Sequence, residues 1–360
     1  MHSLLLALLL SAGPGSSSTP DLLSAHLILG RAPVDSVTSI TSARFVSSDM
    51  DDILAIEKLG RIRLPAPGPN AAQTSLVRLN LLRLAGERFH TIWQSEPLLE
   101  TAVPAAQLSA GAWAVGDIDQ DGLDEILLFT PESCRVISFG PESTSTRVLP
   151  MPGAWVTDAA LCDLADDSVP ELVTLELSPL DPSSSGRLVR TYRFADSALV
   201  PASDFAAGLD WGPDASLKLL GACRLPEYWG RLPVVAGIYP DLRPSAYAVV
   251  VRTGDSLRVT SHPFPLLPWF SKEHVLPSGP LSLYNVGDTL VARGYFVPGT
   301  GRSNSFAALQ DGEWRLLRLT DAAHALSGPT CRFTLAGQPG WLELRDNIIR
   351  FFPGEVFPWR

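Results

Sequence analysis

Short apolar runs separated by polar turns bearing glycine or proline recur along the chain after its first twenty-odd residues, and no convincing helical periodicity accompanies them. Runs of this length, alternating or rich in branched residues, read as strands. They fall at 75–84, 89–93, 188–194, 246–252, 257–260, 290–296, 305–309, 314–319, 341–344 and 348–352. A coarser outline of apolar strand, polar turn and apolar strand repeats at 43–56, 112–129, 161–173 and 217–237. Taking the first strand of each unit as a marker gives starts near Arg44, Trp113, Asp158, Leu217, Leu281 and Thr330, at intervals of about 45 to 70 residues. The chain is therefore expected to be all-β and built from repeated units.

One turn in this array concentrates chemistry. Gly116 to Leu127 reads Gly-Asp-Ile-Asp-Gln-Asp-Gly-Leu-Asp-Glu-Ile-Leu, with carboxylates at Asp117, Asp119, Asp121 and Glu125 and a turning residue at Gly122. A hard cation such as calcium takes about six to eight oxygens, and alternating carboxylates on a turning chain supply three of them. The Leu123 carbonyl adds a fourth, and Glu125 one or two more. An EF-hand opens the same way but needs a bidentate glutamate at its twelfth position, which here is Leu128. The EF-hand and dockerin-like readings fail on that residue.

A nine-residue acidic loop between two strands resembles the FG-GAP, or VCBS, repeat of integrin-like β-propellers. The resemblance implies a bound Ca2+ ion held by Asp117, Asp119, Asp121, the carbonyl of Leu123, and Glu125. It also gives the repeats their architecture, since the intervals match one four-stranded propeller blade with a variable loop. Six starts imply six blades, with five and seven left open because degenerate repeats shift a count by one. A strand at 26–29 has no partner of its own and is expected beside 348–352 in the last blade, where it would cover an exposed edge.

A weaker copy of the loop follows. Leu161 to Val173 reads Leu-Cys-Asp-Leu-Ala-Asp-Asp-Ser-Val-Pro-Glu-Leu-Val, which sets Asp163, Asp167 and Glu171 at positions one, five and nine. Position three is Ala165 and position six is Ser168, so one ligand is lost; this is a weak second site that keeps the turn better than the ion. Asp49, Asp51 and Asp52 cluster in an earlier turn too short for a nine-residue loop, and read as solvated.

Thirty-one prolines, 28 glycines and 46% apolar residues suit many short strands with ample core. No composition break divides the chain, so residues 21–360 are expected to form a single propeller domain. Residues 4–10 are an unbroken apolar run followed by small residues, a pattern that resembles a secretory signal peptide over 1–20, although Met1-His2-Ser3 lacks the usual positive charge. The run is too short to span a bilayer, and no second apolar segment of about twenty residues follows, so no membrane span is expected after its removal. The expected location is secreted, or periplasmic and cell-envelope.

Of four cysteines, Cys162, Cys223 and Cys331 each fall in the first strand of a different unit, where side chains enter separate interblade layers. Buried thiols are expected there in place of disulfides; Cys134 has no obvious partner, and zinc spacing is absent. A net charge of -10 disfavours nucleic acid. All but Lys58, Lys218 and Lys272 of the 28 basic residues are arginine, the better partner for fixed ion pairs.

The histidines show no metal or triad spacing, and Gly-x-Ser-x-Gly is missing. The one dense carboxylate cluster is accounted for by calcium, so a non-enzyme is expected: a binding, adhesion or scaffold module for an extracellular or envelope protein or glycan. The alternative is a carbohydrate-binding or carbohydrate-active propeller that uses the loop-borne Trp211, Trp229 and Trp269 with carboxylates. Trp113 and Trp155, at unit starts, are assigned to the core.

Overall fold

A computed structural model describes residues 27–47, 51–64, 72–86, 88–99, 112–130, 133–140, 143–152, 155–164, 167–177, 187–195, 198–202 and 330–353, and between 207 and 320 the backbone of nine strands. Strand β1 (Leu27–Arg31) precedes the first complete sheet. Sheet I holds β2 (Val37–Ala43), β3 (Asp52–Leu64), β4 (Ala72–Ala85), β5 (Arg88–Gln94) and the short β6 (Leu98–Leu99). Sheet II holds β7 (Trp113–Gly116), β8 (Glu125–Thr130), β9 (Ser133–Phe139) and β10 (Thr144–Pro150). Sheet III holds β11 (Val156–Cys162), β12 (Glu171–Leu177), β13 (Arg187–Ala195), β14 (Ala198–Pro201) and β15 (Ala207–Leu209). Sheet IV holds β16 (Ser216–Arg224), β17 (Arg231–Ile238), β18 (Ala246–Thr253) and β19 (Ser256–Pro263). Sheet V holds β20 (Ser282–Val286), β21 (Thr289–Phe296), β22 (Ser303–Gln310) and β23 (Glu313–Thr320). Sheet VI holds β24 (Thr330–Leu335), β25 (Gln338–Arg345), β26 (Ile348–Pro353) and, on its outer edge, β1.

Every described pairing is antiparallel and most join neighbours in the chain; the short β6 and β15 add to β4 and β13, and β1 returns across the chain to β26, with Leu27 opposite Phe351. The amino-terminal strand thus closes the carboxy-terminal sheet, as its lack of a local partner implies. First strands of successive sheets touch one another, β24 with β2, β7 with β11, β11 with β16 and β16 with β20, so the first strand of each sheet is the inner one.

Alternate residues of one strand serve different interfaces. In β8, Ile126 and Leu128 belong to the core between sheets I and II, while Leu127 and Phe129 belong to the core between II and III. In β3, Leu54 faces sheet II, and Ile53 and Ala55 face sheet VI. A strand's side chains alternate across its sheet, so each of these sheets is covered on both faces by its neighbours. That is why β8 reads as a continuous apolar run, with Glu125 to Phe129 all buried. Four-stranded meanders stacked face to face on their inner strands make the chain a β-propeller.

Aromatic edges seal the layers. Phe45 meets Phe139 at a centroid distance of 5.4 Å and Trp93 meets Phe139 at 5.7 Å, joining sheets I and II. Trp113 is half-buried and packs against that same layer; Trp155 is half-buried. Cys134, Cys162 and Cys331 are buried thiols outside any disulfide, and burial pushes the Cys134 thiol up to about 12. The side chain of Cys223 lies outside the described residues.

Sheet I begins earlier than the sequence pattern suggests, at Val37 and not near Arg44. Its inner strand, Val-Thr-Ser-Ile-Thr-Ser-Ala, carries few large apolar residues, and the eye-catching Phe45 lies beyond the strand, fully buried in the layer between sheets I and II. Among the described residues, no helix is long and apolar enough to cross a membrane.

Phe351 is fully buried, pairs with Leu27 of β1 and meets Phe333 edge-on at 6.3 Å. Phe351→Ala is expected to cost about 3–5 kcal/mol, through lost apolar area and the cavity left behind. Urea unfolding followed by tryptophan fluorescence checks this.

Candidate metal centre

The acidic loop is the corner between the inner strand β7 and the second strand β8. Gly116 ends β7 close against sheet III; a Cβ there would meet Leu161 Cδ1 at 2.8 Å, so a larger residue would have to push the Leu161 side chain aside. Beyond it the chain turns with Gln120 at φ 63° and Gly122 at φ 89°, both left-handed. Side-chain oxygens hold the turn. Asp117 Oδ2 accepts from Gly122 N–H at 2.9 Å, Asp119 Oδ1 from Asp121 N–H at 3.3 Å, and Asp121 Oδ1 from Leu123 N–H at 2.8 Å. Glu125 Oε2 accepts from Ile118 N–H at 3.1 Å.

These bonds leave three carboxylates converging. Oxygens of Asp117, Asp119 and Glu125 lie within 4.8 Å of one another. Two oxygens that each sit about 2.4 Å from one ion are at most about 4.8 Å apart, so the spacing suits calcium. Asp121 stands outside this group, with one oxygen committed to Leu123 N–H. Asp117 Oδ1 is enclosed and has no hydrogen-bond partner among the described residues. An enclosed carboxylate oxygen without a partner is costly unless a cation meets it.

Glu125 is 3% exposed. Burial, and then Asp119, Asp121 and Asp117 nearby, push its carboxyl up to about 7, against a partial offset from Ile118 N–H. Asp124 points the other way, toward sheet I: its Oδ2 accepts from Arg44 N–H at 2.7 Å and its N–H donates to the Arg44 carbonyl at 2.7 Å. Burial raises the Asp124 carboxyl, and the Arg44 N–H opposes that rise.

The second loop repeats the scaffold with other contents. Leu164 N–H donates to Glu171 Oε2 at 2.8 Å, Ser168 N–H to Asp163 Oδ2 at 3.0 Å and Val169 N–H to Asp167 Oδ1 at 2.9 Å. Each has its counterpart in the first loop, and Ser168, at φ 68°, takes the left-handed place of Gly122. The difference lies at position three. With alanine there, the position-five N–H of Asp167 turns to Asp163 Oδ1 at 3.0 Å, so the oxygen left free in the first loop is occupied in the second. Asp163, Asp167 and Glu171 do not converge as the first set does.

The corners are laced to one another along one rim. Gln120 Nε2 donates to the Ser168 carbonyl at 3.3 Å, bridging sheets II and III, and the Arg44–Asp124 pair bridges I and II. Asp51 accepts from Thr334 N–H, bridging I and VI. Sequence spacing did not reveal these links, because each joins residues of different repeats.

Nor did it reveal the buried ion pairs. Asp52, expected from the sequence to be solvated, is fully buried and meets Arg83 through two hydrogen bonds of 2.9 Å, and Glu343 and Arg350 lie 3.5 Å apart. Glu176, 1% exposed, accepts from Tyr192 Oη at 2.6 Å and Thr174 Oγ1 at 2.8 Å, with Arg190 at 3.2 Å. Burial and the neighbouring Glu176 raise the Tyr192 phenol. The carboxylate and phenol of that set are buried, the arginine is partly exposed, and together they brace β12 against β13. The arginine-rich composition was the one sequence signal pointing to such pairs. Trp211, Trp229 and Trp269 lie outside the described residues.

No family model matches the chain, and no curated protein matches it in sequence. Among solved structures, it is similar over 91% of its length to 94% of the N-terminal domain of Nup159, at 10% identity and a TM-score of 0.37. It is similar over 92% of its length to 98% of BBS1N, solved in complex with ARL6DN, at 11% identity and a TM-score of 0.40. It is similar over 97% of its length to 72% of the NanB sialidase from Streptococcus pneumoniae, at 9% identity and a TM-score of 0.42.

The raised Glu125 carboxyl fixes a sign. Between its ordinary 4.5 and about 7 the folded chain binds more protons than the unfolded one, so metal-free stability falls as pH rises through that window. Thermal unfolding in EDTA across the window should show the midpoint falling, and Glu125→Gln should flatten the fall.

Proposed function

We propose that this chain is an exported, non-catalytic β-propeller of the FG-GAP/VCBS kind that holds one calcium ion in loop 117–125 and serves as a binding or scaffold module. Asp117 Oδ1 carries the ion: an enclosed, unpartnered carboxylate oxygen beside the buried Glu125 and the exposed Asp119 asks for a hard cation. Asp117, Asp119 and Glu125 would hold it, with Asp121 and the Leu123 carbonyl completing the set on loop adjustment. The ion would neutralise the converging charges and brace the corner; it takes no part in a reaction. Loop 163–171 stays without an ion.

A non-catalytic role is supported by where the polar chemistry lies. Among the described residues outside the acidic loop, Glu176 and Tyr192 are buried and bonded to each other, with Arg190 beside them, so their polar groups are spent on one another. A propeller with a braced rim offers loops from several sheets to one partner, here an extracellular or envelope protein or glycan. Residues 1–20, the proposed export signal, lie outside the described residues.

An extracellular-type site with a dissociation constant of about 0.1 mM, in about 1 mM calcium, would add roughly 1.4 kcal/mol to stability. For a domain of this size that is a rise of about 2–3 °C in unfolding midpoint. Calcium titration of the wild type should show the rise, and Asp117→Ala and Glu125→Ala should lose it while keeping the EDTA midpoint within a few degrees. A wild type without response at millimolar calcium would remove the ion from the proposal.

A further inference from the structure

A buried carboxylate stands at the same corner in three consecutive sheets. Asp52, Glu125 and Glu171 open the second strands and pair with the last residues of the inner strands, Ala43, Gly116 and Cys162. They are 0%, 3% and 4% exposed. What faces each of them on the third strand differs. The ladders place Leu82 opposite Ile53, Ile137 opposite Ile126, and Tyr192 opposite Leu172. One step further along each ladder, the residues opposite the three carboxylates are Arg83, Ser138 and Arg193.

The two arginines make the expected pairs. Arg83 forms a two-pronged bond to Asp52, and Arg193 Nη2 lies 3.5 Å from Glu171 Oε1. A buried carboxylate needs a countercharge, and in sheets I and III the chain supplies it. In sheet II the facing residue is a serine, and two further carboxylates crowd the same corner.

We infer that this third-strand position selects the source of the countercharge: arginine builds it into the chain, and Ser138 leaves it to a bound divalent cation. The inference rests on the calcium reading of loop 117–125 and names what sets its occupancy. It also explains the second loop. Loop 163–171 keeps the hydrogen bonds of a calcium corner, yet Glu171 is met by Arg193, and Asp163 Oδ1 is taken by a backbone N–H. The ion's electrostatic work there is done by a guanidinium.

The test exchanges the selector and leaves the ligands alone. Ser138→Arg keeps all five loop residues, and it should lower calcium affinity at least about tenfold in isothermal titration of the full chain, with an EDTA midpoint no lower than that of the wild type. In the other direction, Ala165→Asp combined with Arg193→Ser restores the missing oxygen and removes the guanidinium. That protein should bind one calcium ion more than the wild type, and Ala165→Asp alone should not. A folded Ser138→Arg protein with wild-type affinity, or a folded double variant with no added ion, overturns the inference. If the wild type binds no calcium, the reading of loop 117–125 falls separately, and the gain or absence of an ion in the double variant decides the selector. The double variant also decides if Ser138→Arg fails to fold.

Discussion

Neutralising buried carboxylates at the strand corners is the constraint around which the described part of this propeller is arranged. Inner strands must approach closely enough for their sheets to share a core, and in sheets I, II and III the first residue of the second strand is closed away from water. Asp52, Glu125 and Glu171 sit there, almost fully enclosed. An unpaired charge in such a place costs far more than a surface ion pair returns, so the partner matters more than the carboxylate itself. Arg83 and Arg193 answer the demand from the third strand, and near the other end of β25 in sheet VI Arg350 pairs likewise with the buried Glu343. Only the corner of sheet II gathers acid without such an arginine among the described residues.

That constraint couples chemistry to architecture. The same alternation that sends Ile126 and Leu128 to one interface and Leu127 and Phe129 to the other fixes which third-strand residue meets Glu125. A slip of one residue would exchange both apolar sets and carry the facing side chain to the opposite face. Core packing therefore holds the register in which the electrostatic pairs are possible. The Asp124–Arg44 and Gln120–Ser168 bonds then tie the acidic corner to its neighbours, so a change at that corner reaches sheets I and III directly.

Much of this was legible in the chain. Strands with large apolar residues, such as 126–129 and 348–352, announce themselves because both faces of their sheets are covered. The return of 26–29 to the last sheet followed from a strand without a partner, and the structure places β1 beside β26. What escaped had a physical reason. Strand β10 is exposed at all but one position, Leu149, so it carries no hydrophobic signal, and β2 is rich in serine and threonine. For the acidic loop, residue types and spacing located the corner, and Asp117, Asp119 and Glu125 do converge. Spacing did not separate Asp121 from that group, although its Oδ1 turns to the Leu123 N–H and it stands outside the converging set. Cross-strand arginines were hidden altogether, since Asp52 and Arg83 are distant in sequence and meet only once the ladder is formed.

The seam formed by β1 and β26 has a consequence for how the molecule could be mounted. These two strands run antiparallel at the outer edge of sheet VI, with Leu27 opposite Phe351, so the chain enters β1 beside the place where it leaves β26. Following β24 to its turn at Ala336 and Gly337, and back through β25 and β26, brings Pro353 to the rim where Thr334 meets Asp51. That is the rim of the acidic corner. A tether carried beyond either Leu27 or Pro353 would start from the outer wall of that rim, on the side of the corner loops and away from the opposite rim.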